Sequence, residues 1–105
     1  MTVPAFSLSA AANGRFAATG PLTFATARQA RLEGLAALNA PDAAQQLEID
    51  CSALGVTDSA GLAVMLDWLA PAKRAGRSLR FLSLPKDLGA LARISDVEQL
   101  LSRGV

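Results

Sequence analysis

Histidine is absent from the 105 residues. With it go the usual general base at neutral pH, the commonest metal ligand, and any Ser-His-Asp or Cys-His catalytic arrangement. Cysteine occurs once, as Cys51, so no internal disulfide and no thiolate zinc cluster can be built, which suits a reducing compartment. Neither sign of charge is in excess. Ten Lys and Arg against nine Asp and Glu leave +1, too weak a field to draw nucleic acid or anionic lipid. The longest uninterrupted apolar or glycine run, Ala60 to Leu66, is seven residues, far short of the roughly 20 that a spanning helix needs. The first cation is Arg15, and Pro4, Asn13 and Gly14 come before it, so the opening stretch has neither the basic start nor the apolar run of a signal peptide. The expectation is a cytoplasmic protein with no nucleic-acid partner, no metal and no direct membrane insertion.

What is present is largely apolar. With 51% hydrophobic and 18% charged residues, the chain is expected to bury one core as a single domain over residues 1–105. Phe6, Leu8 and Ala10 alternate with Ser7, Ser9 and Ala11. Asn13-Gly14 then separates this run from Arg15-Phe16-Ala17, the pattern of a tight β-hairpin. Gly20-Pro21 is expected to break the second strand, and Thr23 to cap a helix with Phe24, Ala27, Leu32, Leu35 and Leu38 near one face. Asn39, Pro41 and Asp42 end that helix, and Asn39 to Gln46 reads as a mobile loop.

Leu47, Ile49 and Cys51 alternate with Glu48 and Asp50 as a half-buried strand, followed by a loop at Leu54-Gly55-Val56-Thr57. Asp58 and Ser59 are both good cap residues. From there Leu62, Met65, Leu66, Leu69 and Ala72 repeat at helical spacing until Gly76 stops the helix, with a kink or an early end expected at Pro71. Leu79, Phe81 and Leu82 form another strand, stopped by Pro85. Leu88, Leu91, Ala92 and Ile94 suggest a short helix, and Val97, Leu100 and Leu101 a last one. Strands alternating with helices predict an α/β fold with a partly parallel sheet.

Few residues suggest chemistry. Asp50 and Asp58 lack a third ligand or a histidine to make a metal or acid-base site, and Asp50 is expected to bond nearby backbone N–H groups. Gly55 and Gly61 are not followed by Gly-Lys-Ser or Gly-Lys-Thr, so no phosphate loop and no cofactor are expected. Lys73, Arg74 and Arg77 read as a solvated cluster at a helix end. On the central helix Ala60, Val64, Trp68 and Pro71 make a second apolar stripe with Asp67 beside it. Either the first helix covers Trp68 or Trp68 anchors an interface.

The stretch Leu47 to Leu66, LEIDCSALGVTDSAGLAVML, resembles the STAS domain of bacterial anti-sigma-factor antagonists. In that family a strand ending in Asp and a small polar residue leads through a loop into an Asp-Ser-x-Gly-Leu helix start. The resemblance covers nearly the whole chain and implies a mixed sheet of about four strands covered by about four helices. In the antagonists the serine after the Asp is phosphorylated by a serine kinase, and Ser59 matches it. A phosphate there would sit beside unpaired N–H groups at the positive end of the helix; alternatively Asp58 or Ser59 only caps the helix and Gly61 permits close packing. The runs Gly61 to Leu66, Ala72 to Gly76 and Phe81 to Pro85, with Leu88 and Leu91-Ala92, are more similar to MlaB-type subunits of Mla phospholipid transporters. That resemblance implies a non-enzymatic accessory that binds an ABC ATPase and its permease, peripheral at the inner membrane, with Asp58, Ser59, Ala60, Gly61, Val64, Asp67 and Trp68 at the contact. The other reading is an anti-sigma-factor antagonist whose partner kinase modifies Ser59.

Overall fold

The computed structural model describes residues 5–12, 14–40 and 44–103. The elements run β1 (Ser7–Ala12), β2 (Arg15–Leu22), α1 (Ala27–Leu38), β3 (Gln46–Thr57), α2 (Ser59–Arg74), β4 (Ser78–Leu82), α3 (Lys86–Ile94) and α4 (Glu98–Arg103), in the order that the sequence predicts. The sheet is four-stranded, β1-β2-β3-β4. β1 pairs antiparallel with β2, and the other two pairings are parallel. Gly14 adopts φ +77° at the hairpin turn; Asn13, Pro41 and Asp42 lie outside the described residues.

Two strands are longer than their sequence suggests. β2 runs through Gly20-Pro21 to Leu22, and β3 runs through the segment expected to loop, as far as Thr57. The two are extended together, with Gly20 opposite Leu54 and Leu22 opposite Thr57, and the register shifts between Gly20 and Leu22. That irregularity accommodates a proline without the N–H that a regular ladder requires. Gly20 takes φ +82° there, and a Cβ on it would overlap the Ala5 carbonyl. The mobile loop expected from Asn39 also ends earlier, since Gln46 already belongs to β3.

The start of α1 differs too. Thr26, not Thr23, is its N-cap, and makes no side-chain cap bond. Instead the Thr26 hydroxyl accepts from the Thr23 N–H at 3.1 Å and donates to the Pro21 carbonyl at 2.9 Å, closing a turn before the helix begins. Phe24 therefore falls in that turn and Leu32 on the outer side of the helix. The face of α1 turned inward is made of Ala30, Gly34 and Leu38.

That small-residue face fits over Trp68, which is 1% exposed. The indole lies between Phe6 and Phe81, with ring centroids at 6.0 and 6.2 Å, and its Nε1–H donates to the Arg31 carbonyl at 3.3 Å. Burying an aromatic of this size contributes roughly 4–6 kcal/mol of transfer free energy before entropy is subtracted. The first helix thus covers Trp68, the largest member of the second stripe of α2; Val64 is buried as well, while Ala60 and Pro71 stay half-buried. Below it Leu62, Met65, Leu69 and Ala72 meet Leu47, Ile49, Cys51, Leu79 and Phe81 of the sheet in one core.

Pro71 does not end α2, which continues to Arg74. The stop comes at Gly76, φ +73°, with Gly76 N–H donating to Lys73 and Arg77 N–H to Ala72. Arg77 is not part of a solvated cluster. Its guanidinium donates to the carbonyls of Leu38 and Ala40 at 2.8 and 3.3 Å, satisfying acceptors that the end of α1 leaves open. Ile94 is exposed, while Leu88 and Ala92 face the core of α3.

A Cβ at Gly34 would overlap the Trp68 indole. Gly34→Ala is expected to destabilise the chain by about 1–3 kcal/mol, read as a lower urea midpoint at unchanged slope, whereas Phe24→Ser stays within about 0.5 kcal/mol of the parent. Burial first, and the neighbouring Asp50 charge second, push the Cys51 thiol up to about 12. The folded chain should therefore resist alkylation at neutral pH and react only as it unfolds; rapid stoichiometric labelling without unfolding would contradict this.

Candidate functional site

Asp58 follows β3 with an extended backbone and caps α2. Its Oδ1 accepts from the Gly61 N–H at 3.0 Å and its Oδ2 from the Phe24 N–H at 3.1 Å. Partial desolvation pushes the carboxyl up, but the backbone N–H groups of Phe24, Gly61 and Ala60 outweigh it and hold the group below the usual carboxylate range. One side chain therefore does two things: it starts α2 and ties the β2–α1 turn to that start.

Gly61 is buried, and a Cβ on it would overlap the Leu22 carbonyl, so the close approach of α2 to β2 requires glycine at this point. Ser59, the first residue of α2, is exposed, and Ala60 is half-buried. The Asp58 clasp brings Phe24 to the same end of the molecule, with its side chain 84% exposed. Val56, two residues before Asp58, is 73% exposed. The start of α2 is thus an exposed hydroxyl with two large apolar side chains held on the segments that meet there.

Along α2 the expected contact residues separate. Asp67 is exposed and pairs with Arg31 at 3.6 Å. Val64 and Trp68 are buried, Trp68 beneath α1 with its Nε1–H on the Arg31 carbonyl and Val64 in the wall of a groove between α1 and α2. That groove, the surface beside α2, is lined by Ala27, Arg28, Arg31, Leu32, Ala63, Val64 and Asp67. Leu32 is 59% exposed. Phe24, Leu32 and Val56 are absent from the sequence-based site. The missing signal was the run of small residues at Ala30 and Gly34, which marks the face of α1 that a large side chain on α2 needs and so turns Leu32 outward.

The other acidic residues belong to the sheet. Asp50 accepts from the Ser52 N–H at 2.9 Å, and that bond holds its carboxyl below the usual range. At about 3.3 Å per strand residue, Asp50 and Asp58 are on the order of 25 Å apart, so they do not form a carboxylate pair. Glu48 bonds Arg80 and Arg15, one on each neighbouring strand, and both hold its carboxyl low, Arg80 more than Arg15. Among the described residues no group of three His, Cys, Asp or Glu could hold a metal ion, and no helix is long and apolar enough to cross a membrane.

A family model described as "Mlab, STAS domain" matches residues 8–102. Among solved structures the chain is similar to the anti-sigma factor antagonist SpoIIAA in its unphosphorylated form, with a TM-score of 0.64 and 16% identity over 86% of this chain and 83% of that one. It is likewise similar to the Bacillus cell fate determinant SpoIIAA in the phosphorylated form, with a TM-score of 0.66 and 17% identity over 89% and 85%. Both likenesses concern the fold. A comparison with curated proteins finds no match.

Asp58→Ala removes the cap and the tie to Phe24 together, and is expected to cost about 1–2 kcal/mol at neutral pH. Because the folded-state pKa is lowered, this contribution is present in full above the ordinary value near about pH 4. It is lost as the pH falls through the lowered value. Urea denaturation of parent and variant from pH 7 to pH 2 should show the two stabilities converging at the acid end; a constant gap would mean that the carboxylate is not the source.

Proposed function

The chain belongs to the STAS domain family, in its MlaB-like branch, and from that premise we propose that it is a non-enzymatic accessory subunit binding the ATPase of an Mla-type phospholipid ABC transporter. Such a complex maintains outer-membrane lipid asymmetry. The chain would then be cytoplasmic and held at the inner membrane through the ATPase and its permease. The observation that carries the reading is the surface at the start of α2. Phe24 and Val56 are exposed on the segments that Asp58 joins, and Ser59 follows Asp58, whose carboxylate is engaged by the Phe24 and Gly61 N–H groups. Large exposed aromatics suit a protein contact, where a few such side chains supply most of the affinity. Ser59, Ala60 and Asp67 complete the surface offered to the ATPase.

One observation favours a second reading. Ser59 is exposed at the first position of a helix of 16 residues, where a phosphate would sit at the positive end of the helix dipole next to the Asp58 cap and would add roughly −1.5 to −2 charge. The solved neighbours include SpoIIAA in both phosphorylated and unphosphorylated forms. An anti-sigma-factor antagonist switched by a serine kinase would use the same surface.

The two readings separate in a purification of the tagged chain from detergent-solubilised cells, followed by mass spectrometry of its partners and of the Ser59 peptide. Recovery of an ABC ATPase with its permease and an unmodified Ser59 is expected. In that complex Ser59→Ala retains the ATPase, and Ser59→Glu lowers its recovery at least tenfold. A soluble serine kinase with phosphate on Ser59 would overturn the transporter reading.

A further inference from the structure

β1 is an edge of the sheet, and from Ser7 to Ala12 it carries no charge and no proline. Edge strands of this kind offer unpaired backbone groups to any other strand, and proteins commonly blunt them with charge, proline or a covering element. On the opposite edge β4 carries Arg80 and packs against α4. β1 has neither protection in its own sequence.

Its protection comes from α1. Gln29 and Glu33 lie one turn apart on that helix. Gln29 Nε2 donates to the Phe6 carbonyl at 2.8 Å and to Glu33 Oε2 at 2.9 Å, and Glu33 Oε1 accepts from the Leu8 N–H at 2.6 Å. Phe6 and Leu8 are two residues apart, so their backbone groups point the same way along the strand, and a further strand would use that carbonyl and that N–H. A carboxamide donor and a carboxylate acceptor, joined to each other, stand in their place. Beyond Leu8 the register shifts between Ala10 and Ala12, and such irregularities bend and twist a strand.

We propose that the Gln29–Glu33 pair is an edge guard: it occupies the Phe6 carbonyl and the Leu8 N–H at the start of β1 and so keeps that edge from pairing with β1 of a second copy of this chain. The second copy is the occupant to which the edge is best matched. Its β1 presents the same short, uncharged, small-residue strand, and two such edges related by a two-fold axis pair antiparallel without bringing like charges together. Alanine at both positions keeps α1 well disposed to helix and uncovers the Phe6 carbonyl and the Leu8 N–H.

The test compares the wild-type chain with Gln29→Ala/Glu33→Ala by light scattering over a concentration series, with circular dichroism as the check on fold and hydrogen exchange as the local probe. The wild type is expected to remain monomeric where the double variant dimerises, with at least a tenfold tighter dissociation constant and slowed exchange at Ala10. Glu33→Ala alone, which keeps the bond to Phe6, shifts association the same way by a smaller factor. Ala10→Pro in the double variant removes an N–H on the same side as that of Leu8 and restores the monomer. A natively folded double variant as monomeric as the wild type overturns the proposal, as does a dimer that ignores Ala10→Pro or a wild-type chain already paired through β1.

Discussion

Trp68 has to be covered, and most of the helical layer is arranged around that requirement. The indole stands on the side of α2 away from much of the sheet, packed by Phe6 and Phe81, and only a helix with a small-residue face can close over it. Gly34 supplies the space, Ala30 continues the same face, and the Arg31 carbonyl takes the indole N–H. An apolar body and a polar handle are satisfied by neighbouring residues of one helix. The price of this arrangement is that Leu32 is turned out to solvent while Leu38 stays buried.

The functional surface follows from the same geometry. With Trp68 and Val64 buried, α2 has few apolar side chains exposed, and the surface proposed for a partner is gathered at the start of the helix. Asp58 does the gathering. Its two carboxylate oxygens bond different segments, the first turn of α2 and the turn before α1, so Ser59 and Phe24 are positioned by one group. Rigid backbone anchoring beneath exposed side chains lowers the ordering cost of association, which suits a surface whose purpose is contact.

Much of the architecture was legible in the sequence because it rests on local signals. Alternation marked β1 and the start of β3, the cap residues Asp58-Ser59 marked the start of α2, and Gly76 marked its end. The element order followed, and with it the parallel sheet. What was not legible depended on distant partners. Gly20-Pro21 reads as a strand breaker until the register shift against β3 is known, and Leu54 to Thr57 reads as a loop until β2 lies beside it. The inward face of α1 was legible at Ala27, Leu35 and Leu38 but not at Ala30 and Gly34, whose small size answers to the Trp68 indole opposite. Of the site, Asp58, Ser59 and Ala60 were legible from cap chemistry and family resemblance. Phe24 was not, since it lies 34 residues before Asp58 and is tied to it only through the fold, nor was Val56, whose segment reads as a loop until β2 lies beside it.

Arg77 ties together parts of the chain that are made at different times. It sits between the end of α2 and the start of β4, yet its guanidinium donates to the last carbonyl of α1 and to that of Ala40 just beyond the helix, 39 and 37 residues earlier in sequence. The carbonyls at the C-terminal end of α1 consequently lack these donors until α2 is complete and β4 has docked. Contacts of such sequence separation form late, because loop closure has to be met before they contribute. The end of α1 and the start of β4 therefore behave as one cooperative unit: loosening either frees the other, although no strand or helix joins them.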